Sequence, residues 1–198
     1  LLIGGCAQSN KIMTSRPQKT EVSLKARDLY LKGLFYQSEG LYNEALVQFY
    51  QALHHDSTSP TIYNSIAENH IKLGHYDSAL ILLKKAERKD PENVETLSLM
   101  ADCYFRLRDD ENAINTYKRI LELNPYRANA REHLMFLYKK NNNEMGIAEQ
   151  YEQLHAYYGH DAQTLNELAE IYLKYKEYDK AILSLIHISE PTRLRRIS

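Results

Sequence analysis

Apolar residues between positions 60 and 93 recur every third or fourth place, in two runs split by one glycine. Tyr63, Ile66 and Ala67 fall on one face of the first run, and Ala79, Leu83 and Ala86 on one face of the second. That spacing predicts two amphipathic helices, from about Thr61 to Leu73 and from about Tyr76 to Arg88. Gly74 can take the left-handed conformation that closes a helix. Asp90-Pro91 ends the second, because proline lacks the N–H that would continue the ladder. Ala67 and Ala79 are small enough for the two backbones to approach closely, while Tyr63, Ile66, Leu83 and Ala86 fill the seam.

The pattern returns in phase. Copies begin at Ala26, Pro60, Val94, Ala128 and Ala162, each 34 residues after the last, with no insertion or deletion. The small residue of the first helix is Gly33, Ala67, Ala101 and Ala169, with Met135 as the exception. Three residues on stand Tyr36, Tyr104, Tyr138 and Tyr172, with His70 in the second copy. The alanine of the second helix is Ala45, Ala79, Ala113 and Ala181, but Ile147 in the fourth copy. With bulk at both small positions, the fourth copy's helices should stand further apart.

This pattern resembles the tetratricopeptide repeat (TPR), a helix–turn–helix unit of about 34 residues. The resemblance covers residues 26–182 and implies an all-α, right-handed solenoid of antiparallel helix pairs. Its repeats are 26–59, 60–93, 94–127, 128–161 and a truncated 162–182. Such an array has no single core; each repeat buries its apolar face against its neighbours. The function it implies is a non-catalytic scaffold for protein–protein interaction.

The two ends read differently. Leu1-Leu2-Ile3-Gly4-Gly5-Cys6 resembles the end of a bacterial lipoprotein signal, an apolar run and two small residues before a cysteine. Residues 1–5 would be the end of the signal peptide and Cys6 the lipidated residue. Two or three acyl chains, at about 0.8 kcal/mol per buried methylene, hold a protein stably at a membrane. Ala7 then favours the outer membrane, with the solenoid facing the periplasm. Residues 6–25 carry the lipidated cysteine and a tether, polar and without periodicity from Gln8 to about Glu21. At the other end, Leu183 to Arg193 reads LSLIHISEPTR and resembles the in-frame translation of a sequencing-library adaptor. Residues 183–198 are therefore expected to be foreign to the natural protein, which would be longer. Two alternatives follow: a recruitment arm of a longer enzyme or transport protein, or a cytosolic TPR regulator with a chance apolar start.

Composition removes several classes. A net charge of −1 leaves no electrostatic footprint for nucleic acid. The two cysteines, Cys6 and Cys103, lie far apart, so no disulfide framework is indicated. No HExxH or clustered Cys/His spacing marks a metal site, no glycine-rich loop cradles phosphate, and Asp109-Asp110 sits at a turn where acids start helices. No cofactor and no small-molecule substrate are expected.

The surface that carries the functional expectation is the concave one. In TPR proteins it is lined by the first helix of each repeat, and the matching positions are Arg27, Tyr30, Leu34 and Gln37 in the first. The second gives Asn64, Glu68, Ile71 and Lys72, and the third Ser98, Asp102, Phe105 and Arg106. The fourth gives Glu132, Phe136, Lys139 and Lys140, and the fifth Asn166, Glu170, Leu173 and Lys174. Lys72, Arg106, Lys140 and Lys174 form a basic ladder beside the apolar Leu34, Ile71, Phe105, Phe136 and Leu173. That ladder fits a groove for a peptide with apolar and some acidic side chains. Equally, Glu68–Lys72, Asp102–Arg106 and Glu170–Lys174 are i,i+4 pairs that support their own helices by about 0.2–0.5 kcal/mol each. The residues with which chaperone-binding TPR domains clamp a terminal carboxylate are missing; Tyr30, Leu34, Ser65, Glu95 and Leu99 stand in their places.

Overall fold

The computed structural model describes the backbone of residues 17–159 and 161–189, and the side chains of 24–159 and 161–187. Among these residues there are ten helices and no strand. They are α1 (Pro17–Ser38), α2 (Tyr42–His55), α3 (Pro60–Lys72), α4 (Tyr76–Glu87) and α5 (Val94–Arg106). Then come α6 (Asp110–Leu123), α7 (Ala128–Lys140), α8 (Glu144–Tyr158), α9 (Ala162–Lys174) and α10 (Tyr178–Ser189). From α3 on, the first helix of each pair starts at residues 60, 94, 128 and 162, so the period of the sequence is the period of the structure. Each helix packs on its neighbours in sequence, which makes an all-α solenoid of helix pairs.

The alanine pattern does what its size predicts. Ala45, Ala67, Ala79, Ala101, Ala113 and Ala181 are all fully buried between helices. Gly33 has the tightest seam: a Cβ there would come within 2.5 Å of the Phe49 ring. α1 begins earlier than the repeat phase requires, at Pro17, inside the stretch read as tether. Proline at the first helical position suits a helix start, since its missing N–H has no partner there anyway. At the other end α10 runs on through residues 183–189, with Ser184 buried.

All five turns within the pairs are built alike. Gly40, Gly74, Arg108, Asn142 and Lys176 occupy the same place in each repeat, with φ of 73°, 78°, 59°, 52° and 62°. The next residue's N–H reaches back to a carbonyl five residues earlier, His75 to His70 at 2.8 Å and Asp109 to Tyr104 at 2.9 Å. This closure satisfies carbonyls that a helix end leaves unpaired.

The hydrophobic core is not continuous. One cluster runs from α2 to α7, and a second holds Ala148, Leu165, Leu168, Tyr172 and Ala181 of α8, α9 and α10. Between them, α7 and α8 pack less closely than the other pairs, as bulk at Met135 and Ile147 predicts. Their seam also contains Arg131, only 4% exposed, where the other repeats carry Leu29, Tyr63, Leu97 and Leu165. Its guanidinium donates to Gln150 Oε1 at 2.8 Å, Gln153 Oε1 at 3.2 Å and the Pro125 carbonyl at 2.9 Å. None of these acceptors is a carboxylate. Pro125 lies just past the C-terminal end of α6, where the helix dipole is negative and favours a cation.

Candidate functional site

At the front of the array the first helices meet through polar side chains. The Tyr30 hydroxyl is 3.1 Å from Ser65 Oγ, and its ring leans on Phe49 at 5.4 Å. Gln37 Nε2 donates to Glu68 at 2.9 Å, and Gln37 Oε1 accepts from Asn69 at 3.1 Å. Tyr30 and Glu68 therefore line the face while tied across the junction of the first two repeats. Asn64 departs from expectation. It is 3% exposed, lies in the seam between α3 and α5, and accepts from the Thr96 hydroxyl at 3.0 Å, so it is structural rather than open to a ligand. Arg27 and Leu34 are exposed, and Ile71 is half-buried against the core.

The middle of the face is aromatic. The His133 ring stacks on Tyr117, 5.4 Å between centres and 16° between planes. Phe105 packs beside it, 5.5 Å from His133 and 5.8 Å from Phe136. Phe136 is 55% exposed, a cost in apolar hydration that packing among the described residues does not relieve. Burial and the charge of Asp102 push the Tyr117 hydroxyl up to about 12, so it stays protonated across the physiological range. Ser98 turns its hydroxyl onto the Val94 carbonyl at 2.6 Å, and Glu132 is exposed.

The basic ladder divides into three cases. Arg106 pairs with Asp102 on its own helix at 3.6 Å. Lys140 reaches instead to Asp110 at 2.7 Å, and Lys174 to Glu144 at 2.6 Å, each across to the preceding repeat. For the first two ladder positions, Tyr42 and Tyr76 stand in the register that Asp110 and Glu144 occupy in later repeats. Lys72 is exposed. The partners of Lys140 and Lys174 are thus neither a ligand nor the i,i+4 acid, and their charge is already answered within the molecule.

Behind Lys174 lies a cleft of about 580 Å³ between α7, α8 and α9. Lys139, Glu170 and Lys174, three residues expected on the concave face, line it, with Ile147, Tyr151 and Glu167 at its walls. The Tyr151 hydroxyl donates to Glu167, and burial followed by that contact pushes it up to about 12. Asn166 and Leu173 are exposed nearby. Sequence reasoning missed His133, Tyr151 and Glu167; the signal was available in their register, since each sits where α7 or α9 meets the repeat before it.

Little here supports bond-making chemistry. Cys103 is fully buried, and burial raises its thiol to about 12, so it is a packed side chain and a poor nucleophile. Among the described residues no group of three His, Cys, Asp or Glu side chains is placed to hold a metal. Nor is any described helix long and apolar enough to cross a membrane. Cys6 and residues 190–198 lie outside the described residues.

Known proteins agree with this architecture. The sequence profile of the tetratricopeptide repeat matches residues 72–132. Intraflagellar transport protein 70A of Danio rerio is 32% identical over 63 residues, 32% of this chain and 10% of that protein. The uncharacterized protein ycf37 of Guillardia theta is 29% identical over 101 residues, 48% of this chain and 57% of that one. The chain thus spans a tenth of one relative and just over half of the other. Among solved structures, the first TPR of Spaghetti (RPAP3), bound to an HSP90 peptide, superposes with a TM-score of 0.59 at 25% identity, covering 61% of this chain and 95% of that one. YrrB, described as a TPR protein with an unusual peptide-binding site, gives a TM-score of 0.61 at 18% identity over 89% and 91% of the two chains.

Proposed function

We propose that this chain, a tetratricopeptide-repeat solenoid, is a non-catalytic scaffold that holds an extended or helical segment of a partner protein along the face of its first helices. The observation that carries this reading is the Phe105, His133 and Phe136 cluster, with Phe105 at its centre and Phe136 more than half exposed at its edge. Rigid aromatic side chains of this kind anchor interfaces at small entropic cost. The RPAP3 domain holding an HSP90 peptide makes the peptide mode reasonable for the fold. The same ligand is disfavoured here, because Tyr30 and Ser65 are bonded to each other where a carboxylate clamp needs basic and amide groups.

We propose further that the solenoid works at a bacterial envelope, lipid-anchored through Cys6 and held at the outer membrane facing the periplasm, in the assembly or recruitment of other proteins. The run of apolar and small residues before Cys6 supports this. Cys6→Ser should move the protein from the membrane to the soluble fraction with its helical content unchanged. A variant that still pellets with membranes, beside a wild type that takes up no lipid label, removes the anchor.

The groove is tested with peptides selected on the full chain from a random display library. Phe105→Ala and Phe136→Ala should each weaken the selected peptides by about tenfold, mainly through faster dissociation. Lys84→Ala, an exposed change on α4, should leave affinity alone. Peptides that bind all three variants as tightly as wild type place the interface elsewhere.

A further inference from the structure

The junction between the third and fourth repeats and that between the fourth and fifth are the same piece of architecture, and only the first is filled. In the first, Tyr117 forms the back wall, His133 lies flat on it, Phe105 and Phe136 close the front, and Lys140–Asp110 pins the edge. Moving 34 residues along the sequence gives the second: Tyr151 at the back and Lys174–Glu144 at the edge. The three residues that should fill it are Glu167 in place of His133, Glu170 in place of Phe136 and Lys139 in place of Phe105. None of them covers the tyrosine as the histidine does, and about 580 Å³ stays open. Ile147, at a position that is alanine in the other repeats, widens the gap and supplies an apolar wall opposite Ile171.

From this register we propose that the cleft receives an arginine side chain from the segment bound in the groove, its guanidinium lying flat over the Tyr151 ring and bonded to Glu167 and Glu170. The inference rests on the groove reading above and names the chemistry of one position in the ligand. Three carboxylates, Glu144, Glu167 and Glu170, border the space, against the ammonium groups of Lys139 and Lys174. Lys174 is engaged by Glu144, whereas exposed Glu170 makes no hydrogen bond or ion pair among the described residues. The cleft therefore has negative charge to offer. The sister junction shows what shape the tyrosine accepts, a flat nitrogen-bearing ring at 16° to its plane. A guanidinium has that flatness, stacks on aromatic faces and takes a carboxylate through two parallel hydrogen bonds. An ammonium has the charge without the plane. The methylene stem would run between Ile147 and Ile171 while the charged head stays at the carboxylates.

The test titrates the full chain with N-acetyl-arginine methylamide, and with the lysine and norleucine analogues, following the Ile147 and Ile171 methyl signals by NMR. The arginine probe should give saturable shifts at both methyls, the lysine probe weaker ones and norleucine none. Glu167→Gln with Glu170→Gln keeps the shape and a partner for the Tyr151 hydroxyl, and should weaken the arginine probe by about tenfold, the scale of one charge-assisted hydrogen bond. Lys174→Met removes the cation that competes for Glu144 and should strengthen it. Absence of saturable shifts, equal shifts from norleucine, or indifference to the double substitution each overturns the proposal. Phe136→Ala separates the two readings: it should weaken selected peptides while leaving the blocked arginine unchanged. Selected peptides that bind Phe136→Ala as tightly as wild type, beside intact arginine binding, would sink the groove reading alone.

Discussion

The first three repeats and the fourth are built on one plan with different materials. In the front half the seam inside each helix pair is closed by a buried glycine or alanine, and one apolar cluster runs from α2 into α7. In the fourth repeat Met135 and Ile147 stand at the small-residue positions, and the close approach moves to Gly146, where a Cβ would meet the Tyr138 ring at 2.8 Å. The seam is bridged by a buried guanidinium and two glutamines. Inside their helix pairs the front repeats are stabilised by close packing, and the fourth also by hydrogen bonds between groups that cost free energy to desolvate. Repetition makes this contrast readable, because each odd residue has equivalents that show what the architecture alone requires.

The largest test of the contrast is to exchange the seams. Ala79→Ile should cost about 1–3 kcal/mol through overpacking, read as a fall in the midpoint of urea unfolding. Ile147→Ala should cost about 1 kcal/mol or less, since it removes a half-buried side chain from a seam that is already open. Equal losses would mean that the two seams do not differ. Next comes the polar bridge. Arg131→Ala should cost about 2 kcal/mol by leaving buried acceptors unpaired. Arg131→Leu combined with Gln150→Leu makes the seam apolar, as Tyr63 and Leu82 make it in the second repeat, and should be neutral or stabilising. A double variant less stable than Arg131→Ala would show that the bridge does more than fill a gap.

A smaller effect belongs to the turns. Arg108→Gly should raise stability by about 0.5–1 kcal/mol, because a left-handed residue without a Cβ avoids the clash that arginine bears there. The front half also carries an acid-sensitive contact. His70, 3.0 Å from the Tyr50 hydroxyl, has its pKa lowered by burial and then by His75. A histidine held neutral in the fold binds fewer protons than in the unfolded chain, so stability is present above the ordinary imidazole value near 6.5 and falls on acidification. The melting temperature should drop between pH 7 and pH 5, and drop less in His70→Gln; identical profiles would remove this contact as the source. Smallest of all is Lys140→Met, which breaks an exposed ion pair and should change stability by no more than about 0.5 kcal/mol.

Much of this was legible in the sequence because the period is strict. The alanine seams, Gly74 as a left-handed turn and the loose fourth repeat all follow from side-chain size at fixed register. The turns at Arg108 and Lys176 were not legible, since neither residue type favours positive φ; only alignment with Gly40 and Gly74 reveals them. The ladder was half legible. Spacing of four along one helix points to Asp102–Arg106, which forms, but the acids that hold Lys140 and Lys174 stand 30 residues earlier, on another helix. Position alone places Asn64 on the face, yet its amide lies buried in the seam, bonded to Thr96. A cleft has no residue of its own, and it shows only as the missing partner of Tyr151.

The central claim is that a partner segment lies along the first helices, over the aromatic cluster and into the open junction behind it. The direct measurement is a methyl and aromatic NMR titration of the full chain with a library-selected peptide. The account predicts the largest shifts at Phe105, His133 and Phe136, continuing to Ile147 and Ile171, with the α4 and α6 outer faces silent. Shifts centred instead on the exposed Tyr126, Tyr157 and Tyr158 cluster, with the Phe136 ring unmoved, would contradict it.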